Sequence, residues 1–366
     1  MSAARPAGSV ERMELTRTRE LLPTVIWRES SPSTNAELRE LVAGRGHARA
    51  MRDPGALRRS AGGGGRGEAT PQELREPQEP REPQEPREPH EPQELPHGTL
   101  LATANQTAGR GRLDRGWVTP PDTAVAASLL VRGFGRSGLG VGWLPLLTGS
   151  AIATALQPYF GDRMRVGVKW PNDVHVRDED DAIAGRPGLK LCGILCEMID
   201  PETVIVGTGI NLLIPEEDLP TGRAASLLSA GADVPGGVAA EPGARDRDED
   251  PGADRGATGP DPEHWPHPPA PTLADPAGQD LADRVLAAYA AELLRLIELA
   301  AVHPGAARAR VARHSLTLGT EVRVHLPGGE VVDGRARELA DDGSLVVDLP
   351  TGGTLTVSAG DVEHLR

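Results

Sequence analysis

Apolar positions along the chain change period several times, and each change marks an element. Val25 to Trp27 is a short apolar run that predicts a strand. Thr34-Asn35-Ala36-Glu37 has the Thr-x-x-Glu capping pattern, and Leu38, Leu41 and Val42 then share one helical face, so a helix is expected to begin at Ser33 or Thr34. Thr99 to Thr103 and Thr123 to Val131 read as strands, and Leu139 to Gln157, apolar with helical periodicity, as a buried helix. Arg165 to Trp170, Leu189 to Ile199 and Thr203 to Ile214 follow as consecutive strands joined by polar or Pro-containing turns. Leu281 to Val302 is strongly amphipathic, with Val285, Leu286, Tyr289, Leu293, Leu296 and Ile297 on the buried side. After Pro304 the pattern becomes short alternating runs separated by Gly328-Gly329, Asp342-Gly343 and Gly352-Gly353. These dipeptides predict tight hairpins and a small β-barrel without an evident catalytic group.

Composition shrinks the folded part. The 366 residues include 44 Gly and 34 Pro but only 2% aromatic residues. From Glu68 to Glu94 the chain degenerates into Glu-Pro-Gln and Glu-Pro-Arg triplets, with a proline at every third position between Pro77 and Pro92; an extended, solvated segment is expected. A second tract rich in Pro, Gly and Asp runs from about Gly231 to Pro276. Long loops close at small entropic cost, so both tracts read as insertions in one domain. The net charge of -14 argues against a protein that coats nucleic acid. No apolar run is long enough to span a bilayer, and Met1 to Glu20 lacks the apolar middle of a secretory signal, so a cytoplasmic location is expected. Cys192 and Cys196 have neither redox-pair nor zinc-site spacing and read as core thiols.

The densest chemistry lies in Asn105 to Trp117, where Arg110, Arg112 and Arg115 alternate with Gly109, Gly111 and Gly116 after an apolar strand. Glycines let backbone N–H groups approach a ligand, and guanidinium forks match phosphate or carboxylate oxygens in pairs. The spacing is neither that of a phosphate-binding P-loop nor a dinucleotide fingerprint. A loop so rich in glycine and charge is expected to be mobile when empty and to order over an anion. Three further segments sit at predicted element edges: Ser33-Thr34-Asn35, Lys169-Trp170-Pro171-Asn172-Asp173, and Lys190-x-x-Gly193 followed by Gly207-x-Gly209-Ile210-Asn211. Singly, each has a plain structural explanation as a cap, a turn, a close backbone approach or a solvated lysine.

Together, in this order, the four segments resemble the biotin protein ligase family, over roughly Val25 to Leu228 apart from the first insertion, and the terminal β-region looks like that family's C-terminal domain. The resemblance implies an α+β catalytic domain with a mixed sheet, similar to class II aminoacyl-tRNA synthetases, and a C-terminal SH3-like barrel. The domains expected are a flexible N-terminus over 1–24, a catalytic domain over 25–303 with disordered insertions at about 49–97 and 231–276, and the SH3-like domain over 315–366. The implied reaction joins biotin and ATP into biotinyl-5′-AMP, then passes the biotinyl group to a lysine of a carrier protein. By resemblance Ser33, Thr34, Asn35, Gln106 and the Arg110 backbone hold the biotin head, with Gly111 and Arg112 beside them and Gly207 and Gly209 leaving room for its rings. Arg110, Arg112 and Arg115 take phosphate, and Lys190 bridges the biotin carboxylate and the α-phosphate as the catalytic lysine, with Arg112 and Arg115 assisting. Trp117, Lys169, Asn172 and Asn211 lie near the adenylate. Asp173 is open between orienting Lys190 or Lys169 and binding magnesium, with orientation favoured because magnesium takes most ligands from phosphates and water. No all-protein metal site is visible.

The implied partners are the biotin carboxyl carrier domains of carboxylases; an exposed sheet edge leaves room for such a domain or for a second copy in a homodimer. Some relatives carry a DNA-binding domain before the catalytic one. Here the segment before Val25 is below the roughly 40 residues at which small domains become viable, so no nucleic-acid binding of that kind is expected. Two rivals stay in view: a lipoyl ligase, which would share the adenylate chemistry, and a non-catalytic interaction module built on the terminal β-region and the proline tract.

Overall fold

The computed structural model describes residues 13–44, 94–112, 115–236, 271–326, 328–358 and 360–365. Most of both expected insertions, and the first half of the N-terminal segment, lie outside the described residues. The helices are α1 (Thr16–Leu21), α2 (Thr34–Val42), α3 (Leu144–Leu156), α4 (Glu179–Ile183), α5 (Pro276–Val302) and α6 (Pro304–His314). The strands are β1 (Thr24–Arg28), β2 (Thr99–Thr103), β3 (Gly109–Arg110), β4 (Gly116–Trp117), β5 (Ala124–Arg132), β6 (Arg165–Lys169), β7 (Asp173–Arg177), β8 (Leu189–Asp200), β9 (Thr203–Asn211), β10 (Glu321–His325), β11 (Val331–Leu339), β12 (Leu345–Asp348), β13 (Thr354–Val357) and β14 (Asp361–His364). The chain divides into a unit of residues 1–39 with 96–366 and a second unit, 40–95, of which few residues are described.

Seven strands form one mixed sheet in the order β1-β2-β5-β9-β8-β7-β6. Only the β1–β2 pair is parallel, with Thr24 opposite Thr99. β9 is buried along its whole length and β5 over all but Arg132, which is why both read as continuous apolar runs rather than alternating ones. α3 and α5 pack against one another and the sheet, burying Leu144, Leu147, Ile152, Leu286, Tyr289 and Leu293. Inside the stretch expected to be a flexible N-terminus over 1–24, the structure has α1 with Met13, Leu15 and Leu22 buried.

The short α1 has no side-chain cap of its own, and α5 supplies one. The buried Asp283 accepts from Arg17 N at 2.9 Å, Thr18 N at 3.0 Å and Thr18 Oγ1 at 2.7 Å. Two first-turn N–H groups that a helix cannot satisfy internally are met this way, by a carboxylate at the favourable end of the helix. Asp283→Ala should therefore lower stability by ~2–4 kcal/mol, read as a shifted urea midpoint, since it strands buried donors.

Two elements differ from the sequence expectation. Asn172 lies in the turn, but Asp173 opens a strand: β7 inserts between β6 and β8, a run of Asp173 to Arg177 too short and too polar to stand out. The residues after Pro304 first make α6, whose buried side is only Ala307 and Val311, before the β-region begins. That region is an antiparallel five-stranded sheet in the order β13-β12-β11-β10-β14. Its edge strands β13 and β14 do not pair among the described residues, so the expected barrel is here an open sheet. It docks on the edge of the main sheet through Leu316 N to Val168 O (2.8 Å) and Trp170 Nε1 to Gly343 O (3.1 Å), and on the start of α3 through Trp143 Nε1 to Asp341 O (2.9 Å). That attachment brings the start of β14 beside the arginine loop.

Candidate active site

The first sequence segment forms a neutral hydrogen-bonded cluster. Ser33 precedes α2, and its Oγ accepts from Ala36 N at a long 3.5 Å. Thr34 does not cap the helix: its N and Oγ1 donate to Gln106 Oε1 at 3.0 and 3.2 Å. Nor does Glu37 close a capping box, because it pairs with Arg28 and accepts from Ser31 Oγ at 2.9 Å. Ser128 Oγ, from β5, lies 2.8 Å from Thr34 Oγ1 and 2.6 Å from Asn35 Oδ1, while Asn35 Nδ2 donates to Leu195 O at 3.1 Å. Ser33, Thr34, Asn35 and Ser128 are all buried. Sequence reasoning missed Ser128; its signal was a single hydroxyl in the apolar, buried run Ala124 to Val131, where an unpaired polar group would be costly.

The arginine loop folds as a hairpin of β3 and β4, with Gly109 opposite Trp117 and Gly111 N donating to Arg115 O at 2.7 Å. Its tip, Leu113 and Asp114, lies outside the described residues. All three arginines rest on protein acceptors. Arg110 Nη2 is 3.5 Å from Glu197 Oε1; Arg112 donates to Asn172 Oδ1 (3.0 Å) and Gly360 O (3.4 Å); Arg115 pairs with Asp361. The mobility expected of the empty loop thus meets specific restraints, two of them from the start of β14, which nothing in the sequence connected to the loop. An open cavity of about 460 Å³ lies between the hairpin and β8, lined by Gly109 to Arg112, Arg115, Gly116, Leu195 and Glu197.

Gly193 and Gly209 face each other across β8 and β9. A Cβ on Gly209 would come within 2.4 Å of the Trp117 ring, and one on Gly193 within 2.9 Å of it. A Cβ on Gly207 would fall 2.3 Å from Asn35 Oδ1. The room expected at Gly207 and Gly209 for a ligand ring is therefore held by Asn35 and Trp117.

Lys190 Nζ sits 5.8 Å from the Trp117 ring centroid and 2.8 Å from Asp173 Oδ1. A β-bulge on β8 creates this arrangement, since Val174 opposes Cys192 but His175 opposes Lys190, which leaves Leu191 as the extra residue. Burial alone would push the Asp173 carboxyl up, but Lys190, His175 and Lys169 together hold it well below the usual carboxylate range. Asp173 thus forms an ion pair with Lys190. Lys169, opposite Asp173 across β6 and β7, is pushed below an ordinary lysine by burial, partly offset by Asp173.

The two asparagines have structural partners. Asn172 Nδ2 donates to Ile194 O at 2.8 Å while its Oδ1 receives Arg112. Asn211, buried at the end of β9, donates to Ala225 O at 2.9 Å, and its Oδ1 has no hydrogen-bond partner among the described residues. Burial pushes the Cys196 thiol up to about 12 and raises Cys192 by the same cause; Cys192 is in the core and Cys196 is half-buried against it. Among the described residues no group of three or more His, Cys, Asp or Glu side chains could hold a metal ion, and no helix is long and apolar enough to cross a membrane.

Comparison with known proteins places these residues in a family. Residues 83–211 match the Biotin/lipoate A/B protein ligase family, and residues 317–365 match the Biotin protein ligase C terminal domain. A biotin--[acetyl-CoA-carboxylase] ligase of Mycobacterium tuberculosis is 35% identical over 271 residues, 74% of this chain and 80% of that one. The chain belongs to the biotin protein ligase family. A bifunctional ligase/repressor of Escherichia coli is 32% identical over 123 residues, which span 34% of that protein. The biotin protein ligase from Aquifex aeolicus in complex with biotin and ATP superposes with a TM-score of 0.52 at 19% identity, over 94% of this chain and 99% of that one. It shares the mixed sheet and the C-terminal domain.

Proposed function

We propose that the protein activates biotin with ATP to biotinyl-5′-AMP and transfers the biotinyl group to a lysine of biotin carboxyl carrier domains. The observation that carries this reading is that the arginine hairpin, which lines an open cavity, meets Lys190 through Trp117 and a buried, uncharged hydrogen-bonding cluster through Gln106. Biotin has a neutral polar head and an ionised tail, and the site has the same polarity. Ser33, Thr34, Asn35, Gln106 and Ser128 would exchange their mutual hydrogen bonds for the head. Attack of the carboxylate on an α-phosphate brings two anions together, so Lys190, Arg112 and Arg115 lower the barrier by neutralising charge. The carboxylate is ionised at neutral pH and no base is required for this step. Trp117 would leave the glycine pair and cover the adenylate with Lys169, Asn172 and Asn211 around it. Magnesium would arrive held by the ATP phosphates.

The architecture is proposed as a class II synthetase-like catalytic domain over 25–303 and an SH3-like domain over 315–366. The Arg115–Asp361 pair gives the second a part in holding the hairpin. The carrier domain or a second copy would add to the sheet edge at β1, because the β6 edge is already bridged at Val168 by Ser315 and Leu316. Labelled biotin should appear on a carrier domain only when ATP is present. Pyrophosphate exchange supported by lipoate instead of biotin would overturn the substrate assignment.

A further inference from the structure

Asp173 has two potential partners, one on each oxygen. Its Oδ1 is held by Lys190 at 2.8 Å. Its Oδ2 lies 4.0 Å from Nε2 of His175, a buried residue one turn of the ladder away on the same face of β7. The His175 ring is fixed from its other side, where Nδ1 meets Gly188 O at 3.2 Å. A carbonyl can only accept, so Nδ1 carries the ring proton and Nε2 of the neutral ring is unprotonated. Nε2 has no hydrogen-bond partner among the described residues. A histidine set between a carbonyl and a carboxylate fits a doubly protonated ring better than a neutral one. Burial, Lys169 and Lys190 nevertheless hold it below its ordinary range in the free protein, against the pull of Asp173. His364 of β14 is a further titratable neighbour, itself held down to about 3 by burial and by Lys169 and His175.

We propose that His175 is a positioning residue that takes over Asp173 when Lys190 turns to the anions of the ligand. This deepens the adenylate reading and rests on it. Lys190 cannot neutralise a biotin carboxylate, an α-phosphate and Asp173 at once, and a buried carboxylate left short of positive charge is strongly unfavourable. The same anions raise the affinity of a nearby imidazole for a proton. A proton from bulk water then adds to Nε2, the resulting N–H donates to Asp173 Oδ2, and Asp173 stays in place while Lys190 serves the ligand. Because the His175 pKa rises on binding, affinity for the adenylate strengthens as pH falls from the bound value towards the free value, and levels off below it.

The test uses the full chain with 15N-labelled histidine and an analogue of biotinyl-AMP whose acyl carbonyl is replaced by methylene, which keeps the phosphate but cannot transfer. In the free protein the His175 ring should show one protonated nitrogen; with the analogue both should be protonated. Calorimetry in buffers of different ionisation enthalpy should show uptake approaching one proton, absent in His175→Asn, which keeps a donor to Gly188 O. That variant should bind the analogue roughly tenfold more weakly and lose the pH dependence of affinity. Tight binding with a neutral His175 and no proton uptake overturns the assignment while leaving the adenylate reading intact. Failure of the wild-type protein to bind the analogue overturns both.

Discussion

Lys190→Ala should lower biotin-dependent ATP/pyrophosphate exchange by roughly a hundred- to a thousandfold, the range set by removing one preorganised charge from a site where negative charge is being brought together. Nothing among the described residues replaces it. Lys169 lies opposite Asp173 and is pushed below an ordinary lysine by burial, and the three arginines reach the cavity from the hairpin side. The loss should fall on kcat more than on the KM for biotin, because the neutral cluster around Thr34 and Gln106 is untouched. The substitution also leaves Asp173 without its ion-pair partner, so lost activity alone would not separate chemistry from folding. The double variant Lys190→Ala with Asp173→Asn removes the stranded charge. It should recover thermal stability relative to the single variant without recovering exchange. Recovery of both would show that Lys190 acts only by holding the fold, and unchanged exchange in the single variant would favour the non-catalytic reading.

What was legible in the sequence and what was not divides along the range of the interactions involved. β5, β9 and α5 were legible because their apolar residues follow one period for many residues, and α2 because Ser33 and Thr34 stand before an apolar stripe. β7 was not, because His175 and Asp173 interrupt a strand of five residues whose neighbours are a proline turn and a charged loop. The identities of Lys190, Gln106 and the arginines were visible as motif residues. Their partners were not: Ser128 is 94 residues from Thr34, and Asp361 is 246 from Arg115. Local propensity carries no information about which distant strand will supply an acceptor. The occupied space over Gly207 and Gly209 shows the same limit, since the sequence can say that a Cβ is excluded but not whether a ligand or Trp117 excludes it.

Arg112→Gly should turn a ligase that retains its intermediate into one that leaks it. Arg112 fixes the hairpin over the cleft through Asn172 and Gly360 O, and Asn172 is itself locked by Ile194, so the arginine is seated on a rigid part of the sheet. In the bound state the same guanidinium would meet the phosphate of the adenylate. Hydrogen bonds to a charged group contribute about 1.5–3 kcal/mol, so losing this fork should speed escape of biotinyl-AMP by roughly ten- to a hundredfold. Formation of the adenylate should fall less, because Lys190 and Arg115 remain. The net result is labelling of bystander lysines, measured as labelled biotin incorporated into a protein that is not a carrier, alongside a direct count of released biotinyl-AMP. Asp361→Asn should change leakage less than Arg112→Gly, since its pair with Arg115 is exposed and an exposed pair contributes little. Unchanged leakage in Arg112→Gly would mean that the hairpin does not cover the intermediate, and the loop would then serve in phosphate binding alone.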